Sequence, residues 1–450
     1  MQIESGLFPH MVLQRNAQNV SQARLAGTCS ATGEVLAIIR REHNVLEGWD
    51  SCKVGTSAQG CFDAEISGLP SGGPYHIALS VDGTETMVDD VLVGDVWMLG
   101  GQSNMQGRGL LTEETAQHPE VRAFYMDDRW TVARDPIHNL KAAVAPCHSM
   151  IGGAGGANFK AVGPGIGFGI EMRQRRGVPQ GLICSAHGGT SMTQWQPDFD
   201  VGNRCLFGAM LERFKRNGGA IAGMIWYQGE SDAKAEAVDL YTQRFERMMA
   251  AFRSDTGLPV PTAMVQIART INASNDRGQY WNQLQEQQRL MSSVIADLAT
   301  VPAIDLALDD GIHIAGSDQP RLGRRLADCM QHLTGESDGH PPISLAGIKL
   351  STDSYGRPMI TVSYDNIVGG LQAAGRPWGF HVEDVAGQTR VCNTRLEDDS
   401  AHLLLPPAFT EPQVLTEPHT LSYGFGTNSY CNITDNADRS LPVFGPLPIL

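Results

Sequence analysis

Val91-Leu92-Val93-Gly94-Asp95-Val96-Trp97-Met98-Leu99 runs directly into Gly100-Gly101-Gln102-Ser103-Asn104-Met105. A mostly apolar run that stops at paired glycines reads as a buried strand ending in a tight turn. A serine on such a turn lifts its hydroxyl above the sheet edge, where a nucleophile belongs. The competing reading is a serine that caps the next helix. Met105 stands where a G-x-S-x-G elbow has its second glycine, which disfavours an ordinary α/β-hydrolase.

Outward from this stretch, Gly181–Ala186, Ala220–Tyr227, Val260–Ala268 and Ala299–Ile304 are further short apolar runs. Between them lie helical stretches at Cys205–Lys215, Leu240–Phe252, Tyr280–Val294 and Arg321–Leu333. Strands alternating with helices imply βαβ units and a doubly wound α/β sheet, which binds ligands beyond the carboxyl ends of its strands. Residues before Val91 carry short runs such as Val35–Ile39 and Tyr75–Val81 divided by Gly, Ser, Pro and Asp, as in a small β domain. After His340-Pro341-Pro342 the runs Lys349–Asp353, Met359–Tyr364, Leu403–Leu405 and Thr420–Tyr423 suggest a second β module. The expected organisation is residues 1–90 β, 91–335 α/β and 336–450 β. The length of 450 residues agrees, at roughly 150 residues per domain.

The charge of −15 argues against attraction to nucleic acid or an anionic membrane surface. No stretch reaches the length of a transmembrane helix, and no signal peptide is visible; the chain reads as cytoplasmic as written, or exported if a signal was trimmed. The nine cysteines form no metal-ligand spacing; buried thiols are expected, with a local Cys52–Cys61 disulfide left open.

Three more segments follow strands and carry chemistry. Asp310-Gly311-Ile312-His313 has a D-x-x-H spacing that lets a carboxylate hold the histidine Nδ1–H while Nε2 faces a serine, although Asp305 and Asp309 compete for that carboxylate role. His187-Gly188-Gly189-Thr190 leaves backbone N–H groups open to a ligand, and Gln228, in Trp226-Tyr227-Gln228-Gly229-Glu230-Ser231-Asp232, offers an amide donor for an oxyanion. Trp195 follows a polar loop and is a candidate for stacking on a sugar, whereas Trp226 reads as core. The glycine-dense stretch Gly152–Gly169 has no phosphate-loop register and reads as a flexible loop entering a helix at Phe168–Arg175.

GGQSNM, HGGTSMTQW, WYQGESDA and DDGIH, in that order, resemble the blocks of the SGNH hydrolase superfamily, in the carbohydrate-esterase branch that includes sialate O-acetylesterases and acetylxylan esterases. Phe8–Arg15 and Val362–Gly370 resemble the opening and the C-terminal β region of sialate O-acetylesterase-like proteins. The resemblance implies a flavodoxin-like three-layer αβα catalytic domain with a parallel sheet, flanked by β-sandwich-like modules. It implies Ser103 as nucleophile, His313 as general base and acid, and Asp310 as orienter, with Glu230 as a rival for the third position. It also implies an oxyanion hole from the N–H groups of Ser103 and Gly189 and the Gln228 side chain. The expected substrate is an acetylated carbohydrate, with no cofactor or metal. Acetylated sialic acid would need a cation, for which Arg108, Arg129, Arg134 and Arg269 are available, whereas acetylated hemicellulose would need only aromatic and hydrogen-bonding surface. A non-catalytic glycan-binding protein on the same scaffold would be expected to have lost Ser103 or His313.

Overall fold

A computed structural model describes residues 1–112, 115–150, 160–199, 205–272, 276, 278–383, 391–406 and 419–449. The chain forms two compact units, Met1–Trp226 with Arg247–Pro261 and Gln319–Ala327, and Tyr227–Glu246 with Thr262–Asp318 and Asp328–Leu450.

The first unit begins with antiparallel strands in the lateral order Gln2–Ser5, Val20–Thr28, Cys61–Pro70, Cys52–Ala58, Gly33–Arg41, Gly72–Val81. Their side chains alternate between buried and exposed, most regularly in Val20–Thr28 and Cys61–Pro70, as expected of a sheet with one wet face. The next strand, Thr84–Gly101, changes character along its length. Its first half pairs antiparallel with Gly72–Val81 and alternates; from Val91 every residue is buried, and Asp95–Leu99 pairs parallel with Gln180–Cys184. The chain thus crosses residue 90 inside one continuous strand. Gln180–Cys184 pairs in turn with Val121–Phe124, also parallel, and Trp130–Val132 closes that side antiparallel. The continuous apolar run that marks the expected strand is therefore the two-sided burial of a parallel sheet.

Arg213, on the helix Leu206–Arg216, is buried beneath the carboxyl ends of these strands. It donates to the carbonyls of Cys184, Phe124 and Tyr125 and pairs with Asp128 at 2.6 Å. The guanidinium thus ties the ends of two strands together through their carbonyls, with its charge balanced by Asp128.

In the second unit, Thr262–Gln266 and Leu298–Pro302 pair parallel. The antiparallel strands Ser344–Thr352, Pro358–Asp365, Ser400–Leu404 and Asn393–Glu397 form one sheet, and Phe380–Glu383, Thr420–Tyr423 and Phe444–Pro448 form another. Both contribute to one core that includes Ile360, Val362, Val382, Leu403, Leu421, Tyr423 and Phe444. Ile304, just past the Leu298–Pro302 strand, belongs to the same core, and the Gln266 side chain exchanges two hydrogen bonds with the backbone of Val443.

Several expectations need correction. Residues 151–159 of the glycine-dense stretch lie outside the described residues, but Lys160–Val162 is a short strand and the helix starts at Pro164, not Phe168. Proline at the first helical position lacks an N–H that would be unbonded there anyway, which favours the earlier start. Cys52 and Cys61 are free thiols, as are the other seven; Cys61 and Cys392 are exposed, so burial holds only for Cys29, Cys147, Cys184, Cys329 and Cys431. Among the described residues no helix is long and apolar enough to cross a membrane.

Candidate active site

The serine segment lies in the first unit. The strand ends at Gly101, whose φ of 128° is open to glycine and strained for other residues. A short helix, Ser103–Gln106, follows at once. Gln102, not Ser103, holds the cap position, and no side chain caps this helix. The capping reading of Ser103 therefore fails.

The Gly101–Gln106 turn is cradled by the chain leaving Gln180–Cys184. The N–H groups of Ser185 and His187 donate to the carbonyls of Leu99 and Gly101, at 3.0 and 2.9 Å. Gln106, one helical turn beyond Ser103, accepts the Gly188 N–H at 2.8 Å. A Cβ on Gly188 would lie 3.2 Å from the Ser103 Cβ and 2.7 Å from Gln106 Oε1, so any side chain there would crowd both. Gly189 has φ of 73° and open space where a Cβ would point.

Three histidines of this unit, His138, His148 and His187, are buried. His148 and His187 stack, with Nδ1 atoms 3.0 Å apart. Two nitrogens at that distance need one proton between them, so one ring donates and the other accepts. Burial, then the charges of His187, Arg213 and His138, hold His148 well below the usual histidine range. Burial, then the Arg213 charge, pushes His138 down to about 3, partly offset by the backbone of Leu99 and Gln106.

The histidine segment lies in the second unit, after the Leu298–Pro302 strand. An isolated bridge between Leu308 and Ile314 closes the loop. At its tip, Asp310 accepts the backbone N–H groups of Ile312 and His313, both at 2.9 Å, and meets His313 Nδ1 at 2.8 and 3.0 Å. Asp309 instead accepts the Gly316 N–H at 2.7 Å. The D-x-x-H spacing thus works because one carboxylate closes a backbone turn and grips the ring together.

Gln228, also in the second unit, is fully buried. Its backbone carbonyl accepts from Tyr241 Oη and Gln288 Nε2, both at 2.9 Å, and its side-chain Nε2 donates to Asp232 at 2.6 Å. An amide beside a carboxylate must present its NH2 group, so Asp232 fixes the orientation of that donor. The i, i+4 spacing of Gln228 and Asp232 is the signal that could have linked them. Glu230 is half-buried in the same segment.

The structure therefore brings Ser103 together with Gly188, Asp310 with His313, and Gln228 with Asp232. It corrects the reading of Trp195: the indole is fully buried, donates to Thr190 Oγ1 at 3.0 Å and packs edge-on against Trp226, so it has no face to offer a sugar. Of the candidate cations, Arg129 pairs with Asp127 and Arg134 donates to Gln117.

A serine turn after one parallel strand and a D-x-x-H loop after another are consistent with an SGNH-type esterase. Comparison with known proteins agrees. The chain belongs to the carbohydrate esterase family described as sialic acid-specific acetylesterase, whose profile matches residues 93–332, and it is therefore a carboxylic ester hydrolase. It is 27% identical over 253 residues to a probable carbohydrate esterase of Arabidopsis thaliana, covering 52% of this chain and 88% of that one. It is 25% identical to the sialate O-acetylesterase of Rattus norvegicus, covering 41% of this chain and 44% of the rat protein, so less than half of that relative is spanned. The solved structure of a carbohydrate acetylesterase from Xanthomonas citri shares the fold with a TM-score of 0.73, at 20% identity and 98% coverage of both chains.

Proposed function

We propose that this protein is a carbohydrate O-acetylesterase of the sialate O-acetylesterase type, acting through an acetyl-enzyme on Ser103. In this mechanism the Ser103 Oγ attacks the acetyl carbonyl while His313 Nε2 takes its proton. The carbonyl oxygen becomes an oxyanion, met by the N–H groups of Ser103 and Gly189 and the Gln228 amide. The C–O bond to the sugar then breaks, and His313 returns the proton to the departing sugar oxygen. Water repeats the sequence, releasing acetate and restoring the serine. No step needs a cofactor.

The grip of Asp310 on His313 Nδ1 carries this reading. A ring held there has one tautomer, with Nε2 as the acceptor that a serine proton needs. Asp310 is preferred to Glu230 for the same reason, since Nδ1 has a single proton to give. The buried Trp195 removes the aromatic platform offered for a neutral hemicellulose, which favours the sialate-type reading over an acetylxylan or xyloglucan esterase. The division into residues 1–90, 91–335 and 336–450, with sandwich-like flanks, is part of the same proposal; alternating burial before residue 90 and the shared core of the C-terminal sheets support it.

The test is acetate release from a small aryl acetate and from O-acetylated sialic acid. Ser103→Ala and His313→Ala should each abolish both. Full turnover by Ser103→Ala would remove the nucleophile assignment, and inactivity of the native protein on every ester would favour a glycan-binding role instead.

A further inference from the structure

We infer that Arg269, held by Asn428 beside the His313 loop, binds the carboxylate of an O-acetylated sugar acid and so sets substrate class. The inference rests on the esterase reading above and adds the group that would select the sugar.

Arg269 lies three residues past the Thr262–Gln266 strand, at the carboxyl end where a doubly wound sheet binds its ligands. The segment that carries it is clipped to the histidine loop. Ile271 N–H and Thr270 Oγ1 both donate to the Gly311 carbonyl, at 2.9 and 2.7 Å. Gly311 packs so tightly that a Cβ there would fall 2.2 Å from Asn272 Oδ1. From the other side a C-terminal loop reaches in: Thr270 N–H donates to the Thr427 carbonyl at 2.7 Å, and Arg269 Nη1 donates to Asn428 Oδ1 at 2.6 Å. Three loops, two of them far apart in sequence, therefore fix the position of one guanidinium.

That guanidinium is half-buried, and among the described residues it has no carboxylate partner. Among the described residues its hydrogen bond goes to a neutral amide, which uses one of its five donors. An arginine that served only packing would gain more from a carboxylate in that place. A planar fork pre-set by a neutral residue suits a bidentate anion arriving from solvent. The segment faces outward, since Ile271 is 54% exposed. The C-terminal β region thus supplies a residue that positions a substrate contact.

The experiment compares kcat/KM for an O-acetylated sialic acid, its methyl ester and a neutral O-acetylated pentose. It uses the full-length native protein, Arg269→Gln, Arg269→Lys and Arg108→Gln. The native protein should prefer the free acid to its methyl ester by about 10- to 100-fold, the scale of a charge-assisted contact. Arg269→Gln should lose that preference, mainly in KM, while the ester and the pentose change little; Arg269→Lys should keep part of it. An equal loss on all three substrates, no preference in the native protein, or a selective loss in Arg108→Gln would overturn the inference. Calorimetric titration with free sialic acid and with glucuronic acid separates the two sources of a sugar carboxylate. It also reads Arg269 independently of turnover: if no ester is hydrolysed the esterase reading fails, yet Arg269-dependent binding of the sugar acid would still stand.

Discussion

Asp310 Oδ2 lies 2.8 Å from His313 Nδ1 while Oδ1 of the same carboxylate accepts the His313 backbone N–H at 2.9 Å. One side chain thus sets both the turn and the ring it carries. Asp310→Asn keeps an oxygen for the backbone but removes the charge that stabilises an imidazolium and can reverse the tautomer. A loss of roughly 10⁴ in kcat on an aryl acetate is expected, with little change in Tm. Glu230→Gln should cost far less. The assignment fails if the two losses are reversed.

A second expectation concerns the oxyanion. Removing the Gln228 amide as Gln228→Ala should lower kcat by about 10²–10³ with KM nearly constant. Asp232→Asn keeps the bulk but lets the amide turn over, because two amides can pair in either orientation. Its kcat should fall as well, by less. An unchanged kcat in Gln228→Ala would exclude this residue as the donor.

The strand–glycine–serine passage and the D-x-x-H loop were legible because each is local. A continuous apolar run reports two-sided burial, and a three-residue spacing suffices for one turn. What stayed hidden depends on distant pairings. Nothing near Trp195 foretells that Trp226 will cover its ring, and the loop looks polar enough to be exposed. Arg213 reads as one basic residue on an amphipathic helix, yet it reaches the carbonyls of Phe124 and Cys184, far away in sequence. The helix start at Pro164 was readable from proline alone but was masked by the glycines around it.

The approach of Gly188 to Ser103 gives a third expectation. Gly188→Ala would force its new methyl against Gln106 Oε1 and the Ser103 Cβ, breaking the Gly188–Gln106 bond and shifting the serine. Misplacement of this kind costs on the order of 10²-fold in rate. Gly189→Ala meets no atom, only an unfavourable φ, and should cost about 1 kcal/mol of stability. Measuring kcat and Tm for both separates the cases. Equal kcat values would sink the distinction.

The buried histidines should make stability depend on pH. His138 has a folded pKa of about 3, and His148 is also held low, while unfolded histidine titrates near 6.5. Between these limits the unfolded chain binds protons that the folded one refuses, so both residues favour unfolding as pH falls below about 6.5. Asp135 acts in the opposite direction: burial pushes its carboxyl up to about 7, so from about pH 4 to 7 the folded state holds a proton that the unfolded state has released. Two histidines against one carboxyl leave the histidines as the larger effect of these three groups. Their combined contribution should decline on acidification from about pH 6 toward 4.5. Replacing one histidine, as His138→Asn or His148→Asn, should flatten the measured slope in whichever variant remains folded. Urea unfolding at several pH values reads the slope directly; identical slopes for native and variant proteins would mean that these rings are not buried in neutral form.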